Sequence, residues 1–251
     1  MKRWILPLVL GLVLLFPGLG CTRESPRLRG LPARMLWAWE SPQDLRFLKH
    51  GEGVAFLVGE LHLEGAEVRW VGRRNPLHVN PNTTLMAVLR VETRQAALNS
   101  AQALALAERA LNALSLPQVA GLQIDFDAKD SERAFYAEAL KVLRSRMPAL
   151  IPLSITALAS WCLDDHWLSE AGLSGVVDEA VPMLFRMGPE DRTVRLRLGR
   201  GERLSEPRAR WSSGLSTDEP LLRLRGSQRT YVFHPGPWTE AAWTRMTREL
   251  P

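Results

Sequence analysis

Polar and apolar positions along this chain follow two periods. Strand-like runs, where apolar residues are contiguous or alternate with polar ones, fall at Arg34–Glu40 (RMLWAWE), Gly53–Leu63 (GVAFLVGELHL), Thr83–Glu92 (TTLMAVLRVE), Val119–Ala128, Leu150–Leu158 and Val176–Arg186. Ser213–Pro220 holds another short one, and Thr230–His234 (TYVFH) is the last. Apolar residues at helical spacing fall at Ser100–Leu114, Ser131–Arg146, Asp164–Ala171 and Thr239–Leu250, with Ser131 and Thr239 placed to cap their helices. Gln43–Lys49 predicts a short helix, and the Arg-rich Pro189–Arg210 a helix interrupted at Gly199–Gly201. Between the second and third strands there is no helical pattern. Instead Glu64-Gly65 reads as a turn and Glu67–Val71 as the returning arm of a hairpin.

About eight strands, alternating with helices most clearly from the fourth onward, predict an α/β domain. The best fit is a (β/α)8 TIM-like barrel, irregular or incomplete in its first third. An open doubly wound sheet is the alternative architecture. No glycine-rich turn follows the first strand, so a nucleotide-binding fold has no support.

The N-terminus has a different pattern. Lys2 and Arg3 precede an apolar run from Trp4 to Leu19, broken by Pro7 and Pro17. As a helix that run would span about 24 Å, short of the roughly 30 Å of a bilayer core, so residues 1–20 read as a signal peptide. Gly18-Leu19-Gly20-Cys21 resembles a bacterial lipoprotein processing site, which makes Cys21 the expected lipidated residue and the protein an exported one, anchored to the cell envelope by its N-terminal lipid. Residues 21–32, with Arg23, Arg27, Arg29, Pro26 and Gly30, read as a tether, and 33–251 as the barrel domain. Lipid on Cys21 would leave Cys162 alone, so the domain must rely on its core without a disulfide.

The formal charge is +5, and all but four of the 32 basic residues are arginine. Arg, Leu, Ala, Pro and Gly are all abundant, as a GC-rich genome produces, and an exported chain seldom meets nucleic acid, so no nucleic-acid partner is expected. The 5 histidines are scattered without paired spacing, which argues against zinc. No metal or cofactor is expected. Ser154 and Thr156 lack the G-x-S-x-G context of a serine hydrolase.

The chemistry-bearing stretch is Gly121-Leu122-Gln123-Ile124-Asp125-Phe126-Asp127-Ala128. On a strand, Leu122, Ile124 and Phe126 share one face, fit for packing under helices, while Gln123, Asp125 and Asp127 share the other. Two acids at the C-terminal end of a buried strand lie where α/β proteins place their sites, and burial there is costly unless they bind something, share a proton or react. Tryptophan is over-used, 9 against 2 tyrosines. Indole faces stack on sugars and paired carboxylates cleave glycosidic bonds, which together point to a carbohydrate ligand. Asp125, Asp127 and Glu179 are therefore the candidate catalytic residues. Trp37, Trp39, Gln123, Trp161, Arg186 and Trp238 are the candidate substrate contacts. The competing readings are ion pairs from the aspartates to Arg90 or Arg186, and ordinary core packing for the tryptophans.

Four stretches, Leu36–Glu40, Gly121–Ala128, Asp178–Met187 and Gly214–Pro220, together resemble the family known as domain of unknown function 3142, whose members are often lipoproteins. The resemblance implies a barrel related to glycoside hydrolases and no established activity. The acidic motif is also similar to the Asp-Gly-x-Asp-x-Asp-x-Glu of family 18 glycosidases. Asp125 and Asp127 match its second and third acids. Gln123 replaces the glycine and Lys129 the proton-donating glutamate, so a catalytic acid would have to be Glu179, Asp127 itself or Glu219. Two functions follow: an envelope-anchored glycoside hydrolase-like protein acting on a polysaccharide, or a non-catalytic glycan-binding or scaffold lipoprotein.

Overall fold

The computed structural model describes residues 24–94 and 97–250. The expected signal peptide and Cys21 lie outside the described residues. In chain order the strands are β1 (Arg34–Ala38), β2 (Gln43–Asp44), β3 (Glu52–Glu64), β4 (Glu67–Gly72), β5 (Leu77–His78) and β6 (Thr84–Arg94). They are followed by α1 (Ser100–Ala113), β7 (Val119–Asp125), α2 (Arg133–Arg146), β8 (Leu153–Leu158), α3 (Ala159–Leu163), α4 (Trp167–Glu170) and β9 (Glu179–Met183). The chain ends with α5 (Asp191–Gly199), β10 (Ser212–Ser216), β11 (Arg229–Phe233) and α6 (Glu240–Glu249).

Eight of these strands close a parallel barrel in the order β1-β3-β6-β7-β8-β9-β10-β11, with β11 pairing back onto β1. The barrel is complete, and its irregularity lies outside the strands. In place of a helix after β3, the strand runs on past the barrel and folds back as the antiparallel arm β4. The short helix expected over Gln43–Lys49 does not form. Gln43 and Asp44 instead pair with Leu77 and His78 in a two-stranded parallel patch, since the Gln43 side chain is buried and accepts from the backbone of Trp238. The Arg-rich segment forms a helix only as far as Gly199, and the rest is irregular.

Strand alternation sorts the core into two compartments. Outward residues such as Leu122, Ile124 and Phe126 meet the helices, where Phe126 sets its ring edge against Tyr136 of α2 at 5.1 Å. Inward residues Met35, Trp37, Ala55, Met86, Val88, Val181 and Tyr231 fill the barrel. Trp37 is wide enough to reach the opposite wall because β10 carries Gly214 there. A Cβ at that position would approach the indole to 2.9 Å.

Residues 24–32, expected to be a tether, are part of the fold. A 3-10 turn at Pro26–Gly30 drives Leu28, fully buried, and Leu31 into the N-terminal end of the barrel against Met35 and Tyr231. The turn is held by Ser25 Oγ and Arg27 Nη1, which donate to Asp178 at 2.6 and 2.9 Å. Arg229 donates to the Leu28 and Pro32 carbonyls. One leucine among arginines and prolines carries no periodic signal, yet burying its side chain is worth about 2 kcal/mol.

Candidate functional site

The opposite, C-terminal end of the barrel opens into a pocket of about 630 Å³. β7 delivers Asp125 as its last residue, and Asp127 lies just beyond, both on its walls. β1 supplies Trp37 and Trp39, β11 supplies Phe233, and the turn after β9 supplies Phe185 and Arg186. The rings support one another. Trp37 stacks on Tyr231 at 5.3 Å, and Phe185 stacks on Phe233 at 5.7 Å with their planes 4° apart. Trp39 stands edge-on to Phe233 at 6.3 Å.

The two aspartates have different surroundings. Asp125 is 5 % exposed. Its Oδ1 accepts from Thr156 Oγ1 at 2.7 Å and its Oδ2 from Arg90 Nη1 at 3.0 Å. Burial raises its pKa above the usual carboxylate value, while Arg90 and Thr156 pull it back. Asp127 is exposed at the pocket wall. Its pKa is also raised, first by the protein mass that shields it from water and then by the neighbouring Asp125 charge, with Arg90 opposing. A fixed, hydrogen-bonded acid therefore stands beside a reachable one that holds its proton more tightly than usual, the division of labour that acid catalysis by paired carboxylates needs.

Arg186 has a left-handed backbone, φ 52°, at a residue that is not glycine. That conformation costs about 1 kcal/mol and is held here from outside. Glu219 Oε1 accepts from the Arg186 backbone N–H at 2.9 Å, and Glu219 Oε2 accepts from Arg195. The strained turn lays the Arg186 guanidinium over the Phe233 ring at 4.8 Å, at the pocket edge. Glu219 is thus a brace for this turn and not a lining acid.

Of the residues singled out from sequence, Asp125, Asp127, Trp37, Trp39 and Arg186 come together at this mouth. Glu179, Gln123, Trp161 and Trp238 do not. Glu179 opens β9 and so lies at the other end of the barrel, fully buried, where Arg229 Nη1 donates to its Oε1 at 2.8 Å and Tyr231 and Ser154 donate to its Oε2 at 2.7 and 3.0 Å. It cannot act as the partner acid. Gln123 lies in the layer between, fully buried. It accepts from Trp37 Nε1 at 2.7 Å and donates to Ser154 Oγ at 3.1 Å. Trp161, on α3, packs edge-on against Trp167 beneath the helices. Trp238 is buried behind β1, and its Nε1 donates to the Trp37 carbonyl at 2.9 Å.

Glu190, in the turn leading into α5, lines the same pocket as Asp127 and was not singled out. Its signal was positional: it follows a barrel strand at its C-terminal end, where sites lie. Phe233 was also passed over, in favour of His234. Alternation points Phe233 inward, and His234 turns to Thr217 and Trp238. Lys129, at the position of the family 18 donor, is exposed and outside the pocket lining.

Comparison with known proteins agrees with this architecture. The family model described as Domain of unknown function (DUF3142) matches residues 81–186, the stretch that carries both aspartates and ends at Arg186. Among solved structures, a Streptomyces coelicolor protein described as a candidate chitinase A is similar to this chain with a TM-score of 0.53 and 9% identity. The match covers 85% of this chain and 94% of that one. At that identity the likeness is one of fold: a glycoside hydrolase-like TIM barrel. No curated protein matches the chain.

The raised pKa of Asp127 has a stability consequence. The folded state disfavours its charge, so the penalty is absent when the acid is protonated and grows as pH rises past the ordinary aspartate value of 3.8. Asp127→Asn should therefore unfold at a higher denaturant concentration than the parent at pH 7 and at the same concentration near pH 2.5. A gain that is equal at both pH values, or a loss at pH 7, would contradict the assignment.

Proposed function

We propose that this protein binds a glycan chain across the barrel mouth and cleaves a glycosidic bond there, with Asp127 as the proton donor. The observation that carries the reading is the coincidence, in one pocket, of an aromatic floor and flank (Trp37, Trp39, Phe233) with two unequal carboxylates. Sugar rings present C–H faces that stack on aromatic rings, and the bond between them needs a proton on the leaving oxygen. Asp125, fixed by Arg90 and Thr156, orients and tunes Asp127. Glu190 replaces Glu179 as the second carboxylate, since it is the remaining acid on the pocket wall. Arg186, held over Phe233, contacts a polar substituent of the sugar.

Non-catalytic glycan binding is the second reading, favoured by Lys129 standing where the similar glycosidases carry their donor. Purified protein assayed on a panel of cell-wall and exported polysaccharides separates the two. Turnover should fall by roughly 10²- to 10⁴-fold in Asp127→Asn. Turnover untouched by that substitution would remove Asp127 from the chemistry. Binding by calorimetry that survives it, with no product from any substrate, would establish the second reading.

We extend the proposal to location: Cys21 carries lipid and holds the protein on the envelope. Expressed in a bacterial host, the protein should partition into the detergent phase of a cloud-point extraction, and Cys21→Ser should move it to the aqueous phase. Aqueous partitioning of the parent would refute anchoring.

A further inference from the structure

A second cavity, of about 480 Å³, lies on the outer wall toward the N-terminal end of the barrel, between the segments that lead into β10 and β11. Four arginines line it, Arg203, Arg210, Arg223 and Arg225, together with Trp211. Its acid, Glu202, is engaged by Arg197, which also binds Asp164. Arg210 and Arg223 are oriented by backbone carbonyls, of Leu204 and Ser205 for the first and of Glu249 for the second. No ion pair among the described residues engages any of these four guanidinium groups, and all four residues are exposed. The charge therefore faces solvent unneutralised.

Its position along the barrel axis gives this charge a meaning. The described chain begins on the same end, where Ser25, Arg27 and Leu28 are docked and Arg29 is exposed. The opposite end concentrates acids: Glu40, Glu92, Asp127, Glu190 and Asp218 stand at or just past the C-terminal ends of barrel strands. An arginine-rich genome would scatter basic residues evenly. Here they are segregated to the end from which residues upstream of 24 depart.

We infer that this end of the barrel rests on an anionic membrane surface, and that the four-arginine cavity receives the phosphate of a phospholipid headgroup. Guanidinium groups take phosphate oxygens in paired hydrogen bonds, and Trp211 supplies an amphipathic ring of the kind that settles at headgroup depth. The barrel mouth, with its acids, then faces away from the lipid. This orientation is independent of the chemistry proposed for the mouth and would hold for a pure binding protein.

The test is amide hydrogen exchange on the full chain in nanodiscs of phosphatidylcholine alone or mixed with phosphatidylglycerol. Segments 200–212 and 221–228 should exchange roughly threefold slower or more in the anionic discs only. The protection should disappear in 1 M salt, where the screening length falls to about 3 Å, and in the doubly substituted Arg203→Glu, Arg225→Glu protein. Both side chains are exposed and pair with no acid, so that protein should match the parent in circular dichroism. Equal exchange in the two disc types, or protection that survives the charge reversal, overturns the inference. Inorganic phosphate that reproduces the full effect in neutral discs would reassign the cavity to a soluble phosphate ligand and overturn the membrane assignment.

Discussion

The barrel is organised around one ion pair in its interior, Glu179 with Arg229. A charge taken out of water is expensive, and a buried pair is tolerated only when further hydrogen bonds satisfy what remains of each group. Here they do. Tyr231 and Ser154 complete the carboxylate, and the carbonyls of Leu28 and Pro32, with Glu24, complete the guanidinium. From Ser154 the chain of hydrogen bonds continues to Gln123 and on to Trp37 Nε1. One connected network thus ties the docked N-terminal segment at one end of the barrel to the indole at the floor of the pocket at the other. Disturbing it leaves a buried charge without its partner and frees the ring on which the proposed ligand rests.

Within this frame the acids divide by height. All the inward acids lie on alternating positions of parallel strands, but their place along the strand decides what they do. Glu179, at the start of β9, is locked into the scaffold. Asp125, at the end of β7, is buried but reaches the pocket and is half-neutralised by Arg90. Asp127, one step farther, meets solvent. The gradient from structural to reactive carboxylate is a gradient of water access, and the raised pKa of Asp127 follows from its standing at the boundary beside another negative charge.

That distinction explains what could be read from the sequence. Alternation in Gly121–Ala128 was enough to place Gln123, Asp125 and Asp127 on one face, because period two is a local property of the chain. Regular βα alternation after the third strand was enough for the barrel, and the missing helix after the second strand was visible as a missing pattern. Height in the barrel was not legible. It depends on strand stagger, a relation between chains of residues far apart in sequence, so Glu179 and Gln123 looked like site residues when they are interior ones. Tryptophan number was equally mute: Trp37 and Trp39 face the pocket, whereas Trp161 and Trp238 serve the core, and composition does not distinguish the two. Glu190 sits in a turn without periodicity, and Leu28 is a single apolar residue in a charged, proline-containing stretch. Neither has a local pattern to betray its packing.

The central claim is that Glu179 holds the barrel together and takes no part in the chemistry at the mouth. Urea unfolding of Glu179→Gln beside the parent tests it most directly. Loss of the carboxylate leaves Arg229 buried without its counter-charge, so stability should fall by about 3–5 kcal/mol with an unchanged dependence on urea concentration. A Glu179→Gln protein as stable as the parent would contradict the account and return this acid to the list of groups free to act on a ligand.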